Sequence, residues 1–315
     1  MEQPTVLTGL RSTDYEHPFD RQALNALEGT PGFEFLMKKF WEYGIETMLT
    51  VQCTGSNLQV TEKNFPRLHE VFQHACRTLD LPVRPRLYFQ LAADINAYAT
   101  GVENPIVVLS SETVDRMTDE ELLFIIGHEL GHIKSNHVLY QNMGQIIPIL
   151  GNYVGQVTFG VGNMISLGLT LALQNWKRMA EFTADRAGLL ACQNYEAAAS
   201  AMVKLAGLPL KHYDQDVVGE FMDQARDFQE LDYENLSKIA KVMATLTATH
   251  PWTVQRAAEL NRFHSGGQMD TIMAAVAHDR EAAVAAGAIA CPACGRLITE
   301  GAKFCAGCGK KLAAA

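Results

Sequence analysis

Basic residues are in short supply: 26 Lys and Arg face 35 Asp and Glu, for a formal net charge of −9. A duplex-binding protein ordinarily presents a basic face, so general nucleic-acid binding is not expected. The first 30 residues, MEQPTVLTGLRSTDYEHPFDRQALNALEGT, lack a basic start followed by an apolar run, which argues against an ordinary secretory signal. Long hydrophobic runs are missing as well. Residues 138–176 carry no Asp, Glu, Lys or Arg. Yet Pro148, Gly151, Asn152, Gly155, Gly160, Gly162 and Asn163 interrupt every window of the about 20 apolar residues that a membrane span needs. The best run, GVGNMISLGLTLAL at 160–173, is too short by that rule. Buried or partner-facing helices are expected there, with peripheral contact with a membrane surface as an alternative and a tilted or re-entrant span as a third.

A disulfide framework is absent too. Of seven cysteines, four crowd into residues 291–309 and look like metal ligands. Cys53, Cys76 and Cys192 stand alone and read as small buried apolar residues. A reducing, cytoplasmic compartment fits this usage, with membrane association left open. At 315 residues the chain has room for one large domain, or one domain plus a small module.

What is present begins with periodicity. Residues 31–51 and 65–80 have helical spacing, and strand-like runs follow at 86–91, 95–100 and 105–111. Gly101, Glu103, Asn104 and Pro105 punctuate the last two runs as a hairpin connection would. Thr118 and Glu121 form a capping box, with Asp119 and Glu120 in the first turn, so a helix is expected to start there and run through Ile133. Helical spacing then recurs at 176–191, 194–206, 217–230, 233–246 and 251–262. The expected fold is α+β: a small twisted sheet on a mainly helical body.

The helix after Thr118 contains IIGHELGHIKSNH at 125–137. Shuffling this composition yields H-E-x-x-H in about 2 chains per 100, so the motif needs support elsewhere. On a helix, His128 and His132 project from one face and can present two imidazoles to one zinc. Glu129, about 100° round the helix from His128, sits beside such a metal, where a general base for water belongs. Gly127 and Gly131 flank the ligands, and a helix tolerates two glycines poorly unless something approaches its backbone. A catalytic zinc needs a third protein ligand. The metzincin spacing is not met, because Ser135 and Val138 stand where Gly and His would be required. His137, about 140° off the ligand face, reads as a surface histidine.

RMAEFTADRAGLL at 178–190 can supply the third ligand. Its spacing puts Glu181, Ala184, Asp185 and Gly188 on one face. Two inward carboxylates among small residues are costly unless a cation or hydrogen-bond donors receive them. Glu181 as ligand, with Asp185 accepting the ring N–H of a ligating histidine, satisfies both. The bland alternative is a solvated acidic face paired with Arg178 and Arg186.

HELGH followed at a distance by E-x-x-x-D resembles the gluzincin metalloendopeptidases of the HtpX, CAAX-prenyl-protease and Oma type. INAYATG at 95–101 is similar to that family's asparagine–alanine strand, IVVLSS to the strand after it, and THPWTVQR at 249–256 to its histidine–proline motif. The resemblance spans about residues 65–262 and implies a zincin-type fold, one catalytic zinc and proteolysis of misfolded or membrane-associated polypeptides. Membrane-bound members carry long uninterrupted spans, so this chain looks like a soluble representative. Residues 1–60 fall outside the resemblance. In this setting His250 is the candidate oxyanion donor, or a gate over the open zinc position; a helix cap or core position is its alternative. Arg256 has no assigned role beyond a local salt bridge. Asn96, Ala97 and Tyr98 are either an edge strand that pairs with extended substrate or an ordinary core strand.

CPACGRLITEGAKFCAGCG at 291–309 holds two C-x-x-C knuckles ten residues apart. Cys291, Cys294, Cys305 and Cys308 can give four thiolates to one structural zinc, a pattern expected by chance in about 1 chain per 10,000. It is similar to the small zinc ribbons appended to many prokaryotic proteins. Residues 291–315 carry a net +3, and a ribbon that recruits a protein or substrate is favoured over nucleic-acid contact. The expected division is an N-terminal helical extension at 1–60, a peptidase domain at 61–270, an alanine-rich linker at 271–290 and the ribbon at 291–315. The competing class is a non-enzymatic adaptor or chaperone-like binder that keeps the zinc fold for structure. Glu129 argues against it, because a purely structural site has no use for an unligated base.

Overall fold

The three strand-like runs form one sheet. In the computed structural model, which describes residues 4–42, 44–144, 147, 161–230, 252–291, 297–299, 305 and 311, strands β1 (Leu58–Val60), β2 (Arg86–Gln90), β3 (Ala97–Thr100) and β4 (Ile106–Ser110) lie in the order β1-β2-β4-β3. β2 runs parallel to β4, whereas β1 pairs antiparallel with β2, and β3 antiparallel with β4. The β3–β4 hairpin turns on Gly101, whose φ of 80° suits glycine; a Cβ there would meet Asn104 O at 2.5 Å.

Alternation along β4 decides what each face of the sheet touches. Val107 and Leu109 join Leu87 and Ala99 in the main core, under helices α5 (Pro66–Thr78) and α7 (Asp119–Lys134). Ile106 and Val108 point the other way and pack with Tyr88 and with Cys53 of helix α4 (Ile45–Ser56). β4 is therefore covered on both faces and reads as a continuous apolar run.

The chain before the sheet is helical: α1 (Ser12–Tyr15), α2 (Pro18–Glu28), α3 (Phe33–Glu42) and then α4. Pro18 and Pro66 occupy first-turn positions of α2 and α5, where the missing N–H costs nothing. After β4 come α6 (Ser111–Arg116), α7, α8 (His137–Met143), α9 (Val161–Cys192), α10 (Tyr195–Leu205), α11 (Gln215–Glu230), α12 (Thr253–Ser265) and α13 (Gln268–Ala285). The capping box at the start of α7 is formed: Glu121 N donates to Thr118 Oγ1 at 3.3 Å and Thr118 N to Glu121 Oε2 at 2.7 Å. The buried Lys204 of α10 also donates to Glu121, at 2.7 Å.

Two features extend the sequence reading. The helix expected to begin near 176 starts at Val161, so α9 is 32 residues long. Part of the charge-free stretch is covered by the chain's own N-terminal helices: Met143, Ile147, Leu169, Leu173 and Trp176 are buried with Leu27, Leu36 and Phe40. Leu167 and Leu171 on α9 stay exposed. No described helix is long and apolar enough to cross a membrane. Residues 145–146 and 148–160, and the helix expected at 233–246, lie outside the described residues.

The alanine-rich stretch is helical as α13, with Met269 and Val276 buried in the main core. Gly287, at φ 92°, turns the chain into β5 (Ala288–Ala290), which pairs antiparallel with β6 (Leu297–Thr299). Cys291, directly after β5, and Cys305 are buried, while Cys294 and Cys308 lie outside the described residues. Of the isolated cysteines, Cys53 and Cys192 are buried and Cys76 is partly so. The architecture is the α+β one expected: mostly helical, with a small sheet and a separate C-terminal two-stranded hairpin.

Candidate active site

The site is set by how closely two helices approach. α7 and α9 meet through small residues: a Cβ on Gly127 would overlap the methyl of Ala191, and one on Gly131 would lie 2.6 Å from the methyl of Ala187 and 3.2 Å from Ala184 Cα. Gly188 faces back, with Phe124 O 2.8 Å from where its Cβ would be. The glycines beside the motif histidines are thus the contact that admits α9. That contact carries Glu181 and Asp185 to the histidines.

His128, Glu129, His132, Glu181 and Asp185 are all buried. His128 Nδ1 donates to Asp185 Oδ1 at 2.8 Å, which leaves its Nε2 lone pair facing inward. His128 Nε2 lies 3.2 Å from His132 Nε2 and 3.5 Å from Glu181 Oε2, and His132 Nε2 lies 3.4 Å from Glu181 Oε1. Ligands at 2.0–2.2 Å from a tetrahedral zinc stand about 3.3–3.6 Å apart, and these three donor groups stand close to that spacing, the Glu181 carboxylate facing one histidine with each oxygen. Among the described residues this is the one group of three able to hold a metal. Two imidazoles and a carboxylate suit zinc, and the donor set fits it.

Arg256 supplies what sequence reasoning missed. It reaches in from α12, donating from Nε to Asp185 Oδ2 at 2.9 Å and from Nη2 to Oδ1 at 2.6 Å, with Nη1 3.5 Å from Glu181 Oε2. This fork is the donor that two inward carboxylates demand. Their cost was readable at 181 and 185; the distant arginine that meets it was not. Burial would raise the Asp185 carboxyl, but Arg256 and His128 outweigh it and hold the group below its ordinary range. Burial likewise works against the charge on Arg256, and Asp185, Glu181 and Glu129 together reverse that effect. The two imidazoles differ. Burial would lower His128, yet Asp185 and Glu181 push it up to about 10; burial pushes His132 down to about 4 against the pull of Glu181.

His137 corrects an expectation. It is buried, not on the surface: its Nδ1 is 3.0 Å from His132 Nδ1. The 140° displacement assumed that the helix continues. Instead α7 stops at Lys134, and Asn136 at φ 58° turns the chain before α8 begins at His137. The remaining candidates separate. Ala97 and Tyr98 lie in β3, at the edge of the sheet, and Asn96 precedes it, donating its N–H to Thr113 Oγ1 at 2.9 Å. His250 lies outside the described residues.

The model of peptidase family M48 matches residues 62–264, and that of a zinc-ribbon domain matches residues 288–312. The "Plastoglobule-localized metallopeptidase 48, chloroplastic" of Arabidopsis thaliana is 29% identical over 262 residues, 82% of this chain and 75% of that protein. A "Protease HtpX homolog 2" of Methanosarcina acetivorans is 23% identical over 250 residues, 70% of this chain and 80% of its own length. A "Protease HtpX homolog" of Moorella thermoacetica is 26% identical over 228 residues, 65% and 74% of the two chains. With the family model covering the whole stretch from the end of β1 to α12, around a buried donor set suited to zinc, the chain belongs to peptidase family M48, a zinc metallopeptidase with a zinc ribbon appended.

Proposed function

We propose that this chain is an endopeptidase in which His128, His132 and Glu181 hold the catalytic zinc and Glu129 is the general base. The observation that carries the reading is the cluster of two imidazoles and one carboxylate, with closest approaches of 3.2–3.5 Å, buried on two helices locked by glycine contacts. A zinc bound there supplies Lewis acidity toward water and the scissile carbonyl. Glu129 takes the proton from the attacking water and returns it to the leaving amine. Asp185 keeps His128 protonated on Nδ1, so that Nε2 stays available, and Arg256 fixes Asp185. His250 assists the developing oxyanion or gates the site, and the edge position of Ala97 and Tyr98, with Asn96 before them, favours main-chain pairing with an extended polypeptide.

Cys291, Cys294, Cys305 and Cys308 hold a second, structural zinc, giving one zinc of each kind. The division proposed is a helical extension at 1–60, the peptidase domain at 61–270, the alanine-rich link at 271–290 and the ribbon at 291–315. β1 is then the extension's contribution to the sheet. The substrates proposed are misfolded or membrane-associated proteins in the cytoplasm. The ribbon recruits a protein partner, which the acidic overall charge favours over nucleic acid; the 138–176 stretch packs mainly under the N-terminal helices, and peripheral membrane contact at its exposed Leu167 and Leu171 is the alternative.

The purified chain is expected to cleave casein, to lose that activity to a zinc chelator and to regain it with added zinc. Activity that survives chelation contradicts the reading. Asp185→Asn is expected to weaken zinc binding at this site about 10- to 100-fold, read by chelator competition. An unchanged affinity removes Asp185 from its orienting role.

A further inference from the structure

We infer that Asp20, on α2 of the N-terminal extension, is a positioning residue for the zinc site, acting through His137 on His132. The inference rests on the reading that His132 is a ligand.

The contacts form an unbroken buried line. His132 Nδ1 is 3.0 Å from His137 Nδ1, and His137 Nε2 is 3.0 Å from Asp20 Oδ2. Asp20 is fully buried, and its other contacts are both donors: Trp176 Nε1 to Oδ1 at 3.0 Å and the Thr183 hydroxyl to Oδ2 at 2.6 Å. Burial would raise the Asp20 carboxyl, but His137, Thr183 and Trp176 outweigh it and keep the group below its ordinary range.

Counting protons along this line gives a direction. An ionised carboxylate only accepts, so His137 Nε2 carries the proton it shares with Asp20. The His137 tautomer with its proton on Nε2 presents Nδ1 as an acceptor, and His132 must then donate to it from its own Nδ1. That tautomer leaves the Nε2 lone pair of His132 free for a metal. The reverse arrangement, with His137 donating from Nδ1, places the His132 proton on Nε2 and blocks ligation. Gln141 Nε2 lies 3.3 Å from the same His132 Nδ1, and its amide must present oxygen there in the ligating state. Asp185 fixes the tautomer of His128 directly. Asp20 does the same for His132 one residue further out, and from a segment that lies before the residues matched by the family model. The edge-on ring of Trp176, 5.5 Å from that of His137, holds the relay in place.

The test measures metal affinity on the full chain. Cobalt(II) resolves the two metal classes, because thiolate-bound cobalt has an intense sulfur-to-metal charge-transfer band that a histidine–carboxylate site lacks. Asp20→Asn and His137→Leu are each expected to weaken binding at the histidine site about 10- to 100-fold. The double variant should be no weaker than His137→Leu alone, since Asp20 acts only through that ring. His137→Asn keeps an acceptor near the Nδ1 position and should recover most of the loss. Unchanged affinity in the single variants, or equal and additive losses in the double, overturns the relay. If Asp20→Asn does not fold, the Leu and Asn variants of His137 decide alone: equal affinities contradict it. His132→Ala separates the two readings. If it leaves the cobalt site intact, the ligand assignment itself fails; if it abolishes the site while the Asp20 and His137 variants bind normally, only the relay fails.

Discussion

Glu129→Gln is expected to leave the chain folded and zinc-loaded while lowering casein hydrolysis about 10²- to 10⁴-fold, the usual worth of a positioned general base. The amide has the same shape as the carboxylate and fills the same buried space, so packing between α7 and α9 should be unaffected. Its nitrogen and oxygen cannot take a proton from water near neutral pH. Glu129 is not among the three residues whose donor atoms cluster, which is why zinc should remain. Zinc content and turnover measured on the same preparation check both halves. Turnover close to that of the parent would place the base elsewhere. Loss of zinc would mean that Glu129 serves the metal rather than the water.

Gly131→Val tests the helix contact that assembles the site. Even a single Cβ at 131 would stand 2.6 Å from the Ala187 methyl and 3.2 Å from Ala184 Cα, and the second of these is backbone that cannot rotate away. Two further methyl groups force α7 and α9 apart. Overpacking of this kind typically costs about 1–3 kcal/mol. In a domain of about 200 residues, that lowers Tm by roughly 2–12 °C. The functional loss should be larger, because separating the helices pulls apart donor groups whose closest approaches are only 3.2–3.5 Å, and misplacement by about 1 Å can cost about 10²-fold in rate. Gly219→Ala on α11 is the control. Its Cβ would meet nothing within 4 Å, and exchanging a helical glycine for alanine there should stabilise the chain by roughly 0.5–1 kcal/mol. Equal melting and zinc affinity in Gly131→Val and the parent would contradict the account of how the helices meet.

Sequence patterns of short range were legible where their physics is local. The capping box at Thr118 and Glu121, the hairpin over Gly101 and the pair of histidines one turn apart each depend on neighbours within a few residues. The face shared by Glu181 and Asp185 was legible for the same reason, and the glycines at 127 and 131 signalled a close neighbour without identifying it. Features that depend on distant segments were not. Arg256 reaches Asp185 across 71 residues, and Asp20 reaches Thr183 across 163. His137 was misplaced by a local error: extending the helix by one turn puts it on the outside, whereas the left-handed Asn136 brings it back beside His132. The apolar, charge-free stretch around residue 170 read first as a buried or partner-facing surface, with a membrane-facing one as the alternative. Only the packing of α2 and α3 on Leu169, Leu173 and Trp176 distinguishes the two for the described residues.

Anomalous diffraction at the zinc absorption edge, from crystals of the zinc-loaded chain, tests the central claim most directly. The account predicts a peak bounded by His128 Nε2, His132 Nε2 and the Glu181 carboxylate, separate from any peak at the ribbon cysteines. No peak between α7 and α9, or one that does not involve Glu181, would contradict it.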